Sequence, residues 1–120
     1  MSLKLAIRPV GQVTVIDLAG RITLGEAAGS LRDTIKDLLS KNQKDLLLNL
    51  ADVTYIDSSG LGELVGAFAT VSNRGGRLKL LNMQTRVHEL MQLTKLYSVF
   101  EVYTDEAAAV RSFSARAAGM

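Results

Sequence analysis

The 120-residue chain contains no cysteine and no tryptophan, one histidine and one proline. Without cysteine there is no disulfide framework, no thiolate nucleophile, no iron–sulfur cluster and no cysteine-ligated zinc site. The same absence fits any redox compartment and locates nothing. Long apolar runs are also missing. The longest, Leu64–Ala69, falls far short of the roughly 20 residues a membrane-spanning helix needs. The opening Met1-Ser2-Leu3-Lys4-Leu5 lacks the basic-then-apolar plan of a secretory signal, so a cytoplasmic protein without a membrane partner is expected. Charge of one sign is scarce too. Fourteen basic and 12 acidic side chains leave +2, too little to point to nucleic acid.

What is present is the composition of an ordinary folded domain, 48% apolar and 22% charged. The length suggests one domain over residues 1–120. Residues 3–8 and 12–18 read as strands joined by a turn at Pro9-Val10-Gly11, with Leu3, Leu5 and Ile7 on one face and Lys4 and Arg8 on the other. Gly20 closes the second strand, and a loop runs to Gly25. From Glu26 to about Lys41, Ala27, Leu31, Ile35, Leu38 and Leu39 recur at helical spacing, with Asp37 and Lys41 paired on the outer face. Asp45–Leu50 is a short apolar run of the kind that forms a buried central strand, and ADVTYIDSSG reads as a polar loop. A helix follows from Leu61 through Leu64, Val65, Phe68 and Val71, ended by Gly75-Gly76. Residues 77–82 form a strand, Val87–Thr94 a short helix and Val99–Tyr103 a last strand. An Ala-rich helix starts at Thr104-Asp105-Glu106, where acids suit the helix dipole. The order ββαβαβαβα predicts one α/β domain: a mixed, mainly parallel five-stranded sheet, about four helices and an antiparallel N-terminal edge hairpin.

Chemistry concentrates in Tyr55-Ile56-Asp57-Ser58-Ser59-Gly60-Leu61-Gly62. Its hydroxyls lie at or just before a helix N-terminus, where side-chain oxygens accept orphan N–H groups and the dipole favours an anion. A helix cap accounts for one serine, and the segment has two. Neither begins a capping box, since Leu61 and Gly62 stand three residues on. With Ser59 as the cap, Ser58 is left free and exposed, as a modifiable hydroxyl must be.

The segment VTYIDSSGLGELVGAF resembles the signature of anti-sigma-factor antagonists, bacterial members of the STAS domain family. DLAGRIT, DLLLNLADVTYIDSSGLG, NRGGRLKLLN and LMQLTKLYSVFEVY extend the similarity over nearly the whole chain. The resemblance implies a STAS-type fold and a switch with no catalytic activity. Unphosphorylated antagonist binds an anti-sigma factor, itself a serine kinase of the histidine-kinase-like ATPase fold, and frees sigma factor for transcription. The kinase modifies the hydroxyl residue directly after the motif Asp, which maps onto Ser58, with Ser59 as second choice. A serine phosphatase resets it. Carried over residue by residue, the partner-binding set is Asp57, Ser58, Ser59, Gly60, Gly62 and Gly66, with Arg21 and Thr23 from the neighbouring loop. The expected state is a monomer or weak dimer without cofactor, metal or nucleic acid. A second reading is a STAS scaffold subunit of a larger signalling or lipid-transport assembly.

Two departures stand out. Gly20-Arg21-Ile22-Thr23 has Arg21 and Thr23 where the family commonly has acids, and Lys95 replaces a common turn glycine. Arg21 reads as exposed, with pairing to Asp57 or a phosphate as the alternative. Gly62, Gly66, Ala69 and Asn73 form a face of small residues, which either permits close packing within the chain or presents a flat landing surface. Arg74, Arg77, Lys79 and Arg86 fall in an acid-free stretch from Leu64 to His88. A solvated loop and edge face suits them better than a basic patch, because no aromatic residues are interleaved. His88 has neither a second histidine nor clustered carboxylates beside it for metal or triad work. Asp52 and Asp57 lack the acidic cluster of a magnesium site. The Gly-x-Ser-x-Gly elbow of a hydrolase is absent.

Overall fold

A computed structural model describes residues 3–23 and 25–118, the side chains of 26–28 and 115–118 excepted. Met1, Ser2 and the side chain of Ala27 therefore lie outside the described set. The elements are β1 (Leu3–Val10), β2 (Val13–Ile22), α1 (Glu26–Ser40), β3 (Asp45–Ile56), α2 (Ser58–Asn73), β4 (Arg77–Leu81), α3 (Thr85–Thr94), β5 (Val102–Tyr103) and α4 (Glu106–Ala118), with a short 3-10 turn at Leu96–Ser98. The five strands lie in chain order, β1 antiparallel to β2 and the rest parallel. Because the parallel strands advance in one direction, right-handed crossovers place α1, α2 and α3 on the same face.

Burial follows that arrangement. On the front face Leu31, Ile35 and Leu38 of α1, Leu61 and Leu64 of α2, and Val87 and Met91 of α3 pack on Ile16, Leu46, Leu48 and Leu80. On the back face, among the described elements, α4 supplies the cover, setting Ala109 and Phe113 on Val13, Val15, Leu47 and Leu81.

Several boundaries differ from the sequence expectation. The hairpin strands run further than 3–8 and 12–18. Pro9 is tolerated inside β1 because an edge strand need not donate that N–H outward. Gly20, with φ 117°, lies at a register shift and not at a strand end. The segment ADVTYI is not a loop but the second half of β3. Asp17 pairs with Asn49 but Ala19 with Asp52, and Gly20 with Val53 but Arg21 with Tyr55, so β3 carries an extra residue twice against β2. Each bulge breaks the two-residue alternation by which a strand is recognised. The last strand is only Val102–Tyr103, since Val99 ends the 3-10 turn.

Of the four cations expected to be solvated, Arg74 and Arg86 are exposed, whereas the back face engages Arg77 and Lys79. Lys79 is 3% exposed. Its Nζ donates to Ser112 Oγ at 2.9 Å, pairs with Glu101 at 3.2 Å and lies 4.6 Å from the Phe113 ring centre. Arg77 pairs with Asp45 and donates to the Phe113 carbonyl at 2.9 Å. Both cations hold α4 to the sheet. Arg8 does the same from β1, gripping Asp17 at 2.6 Å and Glu106 at 2.6 Å.

Arg8 holds the Asp17 and Glu106 carboxyls below the usual carboxylate range, chiefly through its hydrogen bonds. A depressed folded pKa contributes stability that is complete above the unfolded value, roughly 4, and is lost as pH falls through the folded one. The two side chains are 32% and 36% exposed, so screening holds the effect to about 1 kcal/mol or less. Arg8→Gln is expected to flatten the acid limb of stability below about pH 4 in a series of urea titrations. An identical acid limb in both proteins would contradict this.

Candidate functional site

The site lies where β3 hands over to α2. Ile56 ends the strand buried, and Asp57 is extended, with φ −100° and ψ 180°. Its Oδ1 accepts the Gly60 N–H at 2.7 Å, and its carbonyl accepts the Leu61 N–H at 2.9 Å. Asp57 is therefore the N-cap, a place the sequence reading gave to Ser59. Helix α2 begins at Ser58, three residues before the expected Leu61. An Asp carboxylate at the N-cap satisfies an orphan donor and suits the positive helix end. Both serines are consequently released from structural duty. Ser58 and Ser59 are exposed, and neither hydroxyl bonds to another described residue.

Gly60 behaves differently from the rest of the motif. It is buried, and a Cβ there would overlap the Ile22 carbonyl. That same oxygen accepts the Asp57 N–H at 3.3 Å. The end of β2 thus fixes where α2 starts. Gly62 and Gly66 have open space where a Cβ would go. With Ala69 and Asn73 they form a wholly exposed stripe that continues from Ser59. Close packing within the chain does not explain the two glycines, because no atom lies within 4 Å of where their Cβ would be. Gly62 and Gly66 also line a groove of about 300 Å³ between α1 and α2. Arg32 spans it to Glu63, with contacts of 2.6 and 3.3 Å. Glu63 is therefore already paired and does not add free negative charge to the serine patch.

Arg21 and Thr23 are near but differently placed. Arg21 is exposed and sits over the Tyr55 ring at 4.6 Å, a cation–π contact that neither sequence reading anticipated. Thr23 follows β2 and is half-buried. Across from Ser58, a cleft of about 580 Å³ is lined by Tyr55, Asp57 and Ser58 on one side and Arg86, Glu89, Leu90 and Leu93 of α3 on the other. Sequence reasoning missed the α3 wall. One signal was available: Leu93 is apolar but falls off the Val87, Leu90, Met91, Thr94 stripe, and it is 82% exposed. His88 is exposed on the same helix.

The STAS domain family matches residues 4–109. The chain belongs to the STAS domain family. The anti-sigma-B factor antagonist of Bacillus subtilis (strain 168) is 37% identical over 87 residues, covering 72% of this chain and 78% of that one. Among solved structures, an anti-sigma factor antagonist from Mycobacterium paratuberculosis superposes with a TM-score of 0.78 at 19% identity, over 92% of this chain and 93% of that one. The phosphorylated form of the Bacillus cell fate determinant SpoIIAA superposes with a TM-score of 0.69 at 23% identity, over 91% and 99%. At such identities the superpositions speak for the fold. In this STAS domain the expected mixed sheet, edge hairpin and four helices are all present, and no described helix is long and apolar enough to cross a membrane.

Proposed function

We propose that this STAS domain is a phosphorylation-switched anti-sigma-factor antagonist, with Ser58 as the modified residue and Ser59 as second choice. The carrying observation is that Asp57 caps α2, leaving two exposed, unbonded hydroxyls on its first turn. The antagonist names of the relatives and the phosphorylated form of SpoIIAA support the reading. Unmodified, the domain binds an anti-sigma factor that is a serine kinase of the histidine-kinase-like ATPase fold, and sigma factor is freed. Asp57, Ser58, Ser59, Gly62 and Gly66 form the contact face, Arg21 and Thr23 its margin, and Gly60 positions the helix beneath it.

In the modification the Ser58 oxygen attacks the γ-phosphorus of ATP, forming the O–P bond as the bond to ADP breaks. The hydroxyl proton passes to a base on the kinase. The product gains about −1.5 to −2 charges beside the helix N-terminus, where they are tolerated within the domain. A partner surface fitted to a neutral serine then faces unpaired charge, so binding is lost without refolding. A serine phosphatase removes the group by hydrolysis.

The test is incubation with candidate anti-sigma kinases and ATP, followed by site mapping by mass spectrometry. Phosphate on Ser58, its loss in Ser58→Ala, and binding weakened at least about tenfold in Ser58→Asp are expected. Modification absent from both serines with every kinase would favour the scaffold reading instead.

A further inference from the structure

The α3 wall of the 580 Å³ cleft holds a cation that local structure does not explain. Arg86 is in the first turn of α3, which contains no acid. A positive side chain there opposes the helix dipole, which favours cations at the other end. Arg86 is exposed and makes no ion pair or hydrogen bond through its side chain with any described residue. The other cation beside the site, Arg21, already rests on Tyr55. Glu63, the carboxylate one turn beyond Ser58, is taken by Arg32. Among the described residues, Arg86 is thus the unengaged cation that lines the same cleft as the Ser58 hydroxyl.

We propose that Arg86 is the internal receptor for a phosphate on Ser58, so that modification ties the first turn of α2 to the first turn of α3 and closes the cleft between them. The inference rests on the reading of Ser58 as the phosphorylated residue and adds how the signal is held. A guanidinium presents a planar fork of donors that matches two phosphate oxygens, and charge-assisted bonds of this kind are among the stronger ones available. The carboxylates lining the cleft, Asp57 and Glu89, oppose the phosphate. Asp57 is engaged with the Gly60 N–H, and Glu89 stands three residues beyond Arg86 on α3. Closure brings the first turn of α2 towards the α3 wall, which removes Leu90 and Leu93 of that wall from a partner's reach. Release then has two sources, repulsion at Ser58 and occlusion of the cleft.

The test installs phosphoserine at position 58 of the full chain by genetic encoding and follows the phosphate by phosphorus NMR from pH 4 to pH 8. A nearby cation favours the dianion. The second ionisation is expected at least about half a pH unit lower in the parent than in Arg86→Gln, a roughly threefold change in acidity. Arg86→Lys should recover part of the shift. The helix N-terminus acts equally in all three proteins and cancels. Equal ionisation in the parent and Arg86→Gln overturns the proposal, as does a shift produced by Arg21→Gln and not by Arg86→Gln. Arg86 is exposed, so the variants keep the fold, which a thermal melt checks. Because the phosphate is placed without a kinase, failure of any kinase to modify Ser58 leaves this result standing. Conversely, normal phosphorylation with an inert Arg86→Gln discards the latch and keeps the switch.

Discussion

Gly60→Ala is expected to destabilise the domain by about 3 kcal/mol, the upper part of the range for overpacking a filled interior. Gly60 is not in the left-handed region of backbone space, so the requirement is for room alone. The added methyl would press on the Ile22 carbonyl oxygen and lie 2.8 Å from its carbon. Backbone cannot swing aside as a flexible side-chain end can. Ile22 is fully buried and pairs with Ile56 across the sheet. Relief must therefore come from the first turn of α2, which would lift away from β2 and carry Ser58 and Ser59 with it. The Gly60 N–H is also the donor to Asp57, so the cap loosens in the same movement, and about 1 kcal/mol of the loss comes from it. Denaturant unfolding should show the loss, and kinase labelling at Ser58 should fall with it. Ser59→Ala, at an exposed and unbonded hydroxyl, should stay within about 0.5 kcal/mol of the parent. A Gly60→Ala protein as stable as Ser59→Ala would mean that contact with β2 does not fix the start of α2.

Gly60 also marks how far the site could be read from sequence. D-S-S-G offers three side chains able to cap, and hydroxyls and carboxylates compete on nearly equal terms for that role. Only the extended backbone at Asp57 decides the contest. The other end of α2 was easier. Gly75 takes φ 79°, and the Gly75 and Gly76 N–H groups bond to Ser72 and Val71, a Schellman closure that two adjacent glycines announce. Lys95, by contrast, ends α3 at φ 62° without a glycine to signal it. The far half of β3 was hidden because two bulges there destroy alternation, and burial falls instead on Leu50, Val53 and Ile56. Lys79 shows a different limit. Alternation put Arg77 and Lys79 on one face correctly, but which helix covers that face is a tertiary fact. The α3 wall opposite Ser58 is tertiary in the same sense.

Gly62→Ala and Gly66→Ala together are expected to move stability and partner binding in opposite directions. Both glycines are in the interior of α2, exposed, with free space at the Cβ position. Alanine there removes a backbone-entropy cost of about 0.5–1 kcal/mol per site and strains nothing. The double variant should thus unfold about 1–2 kcal/mol later than the parent. A chain that forgoes such a gain at two positions one turn apart has a use for the bare backbone. The exposed stripe through Gly62, Gly66 and Ala69 lets a partner approach α2 more closely than any side chain would permit. Two methyl groups then hold that partner off and weaken binding about tenfold, and Gly66→Gln weakens it about a hundredfold, or ~2.7 kcal/mol. Calorimetric titration against the anti-sigma factor measures the affinities, and urea unfolding measures the stabilities. The combination matters more than either value. Loss of both would mean that the substitutions damaged the fold, and gain of stability with undiminished affinity would place the partner elsewhere. Gain of one with loss of the other isolates the α2 surface as the contact, because a stabilised domain that binds poorly has lost only what the partner touched.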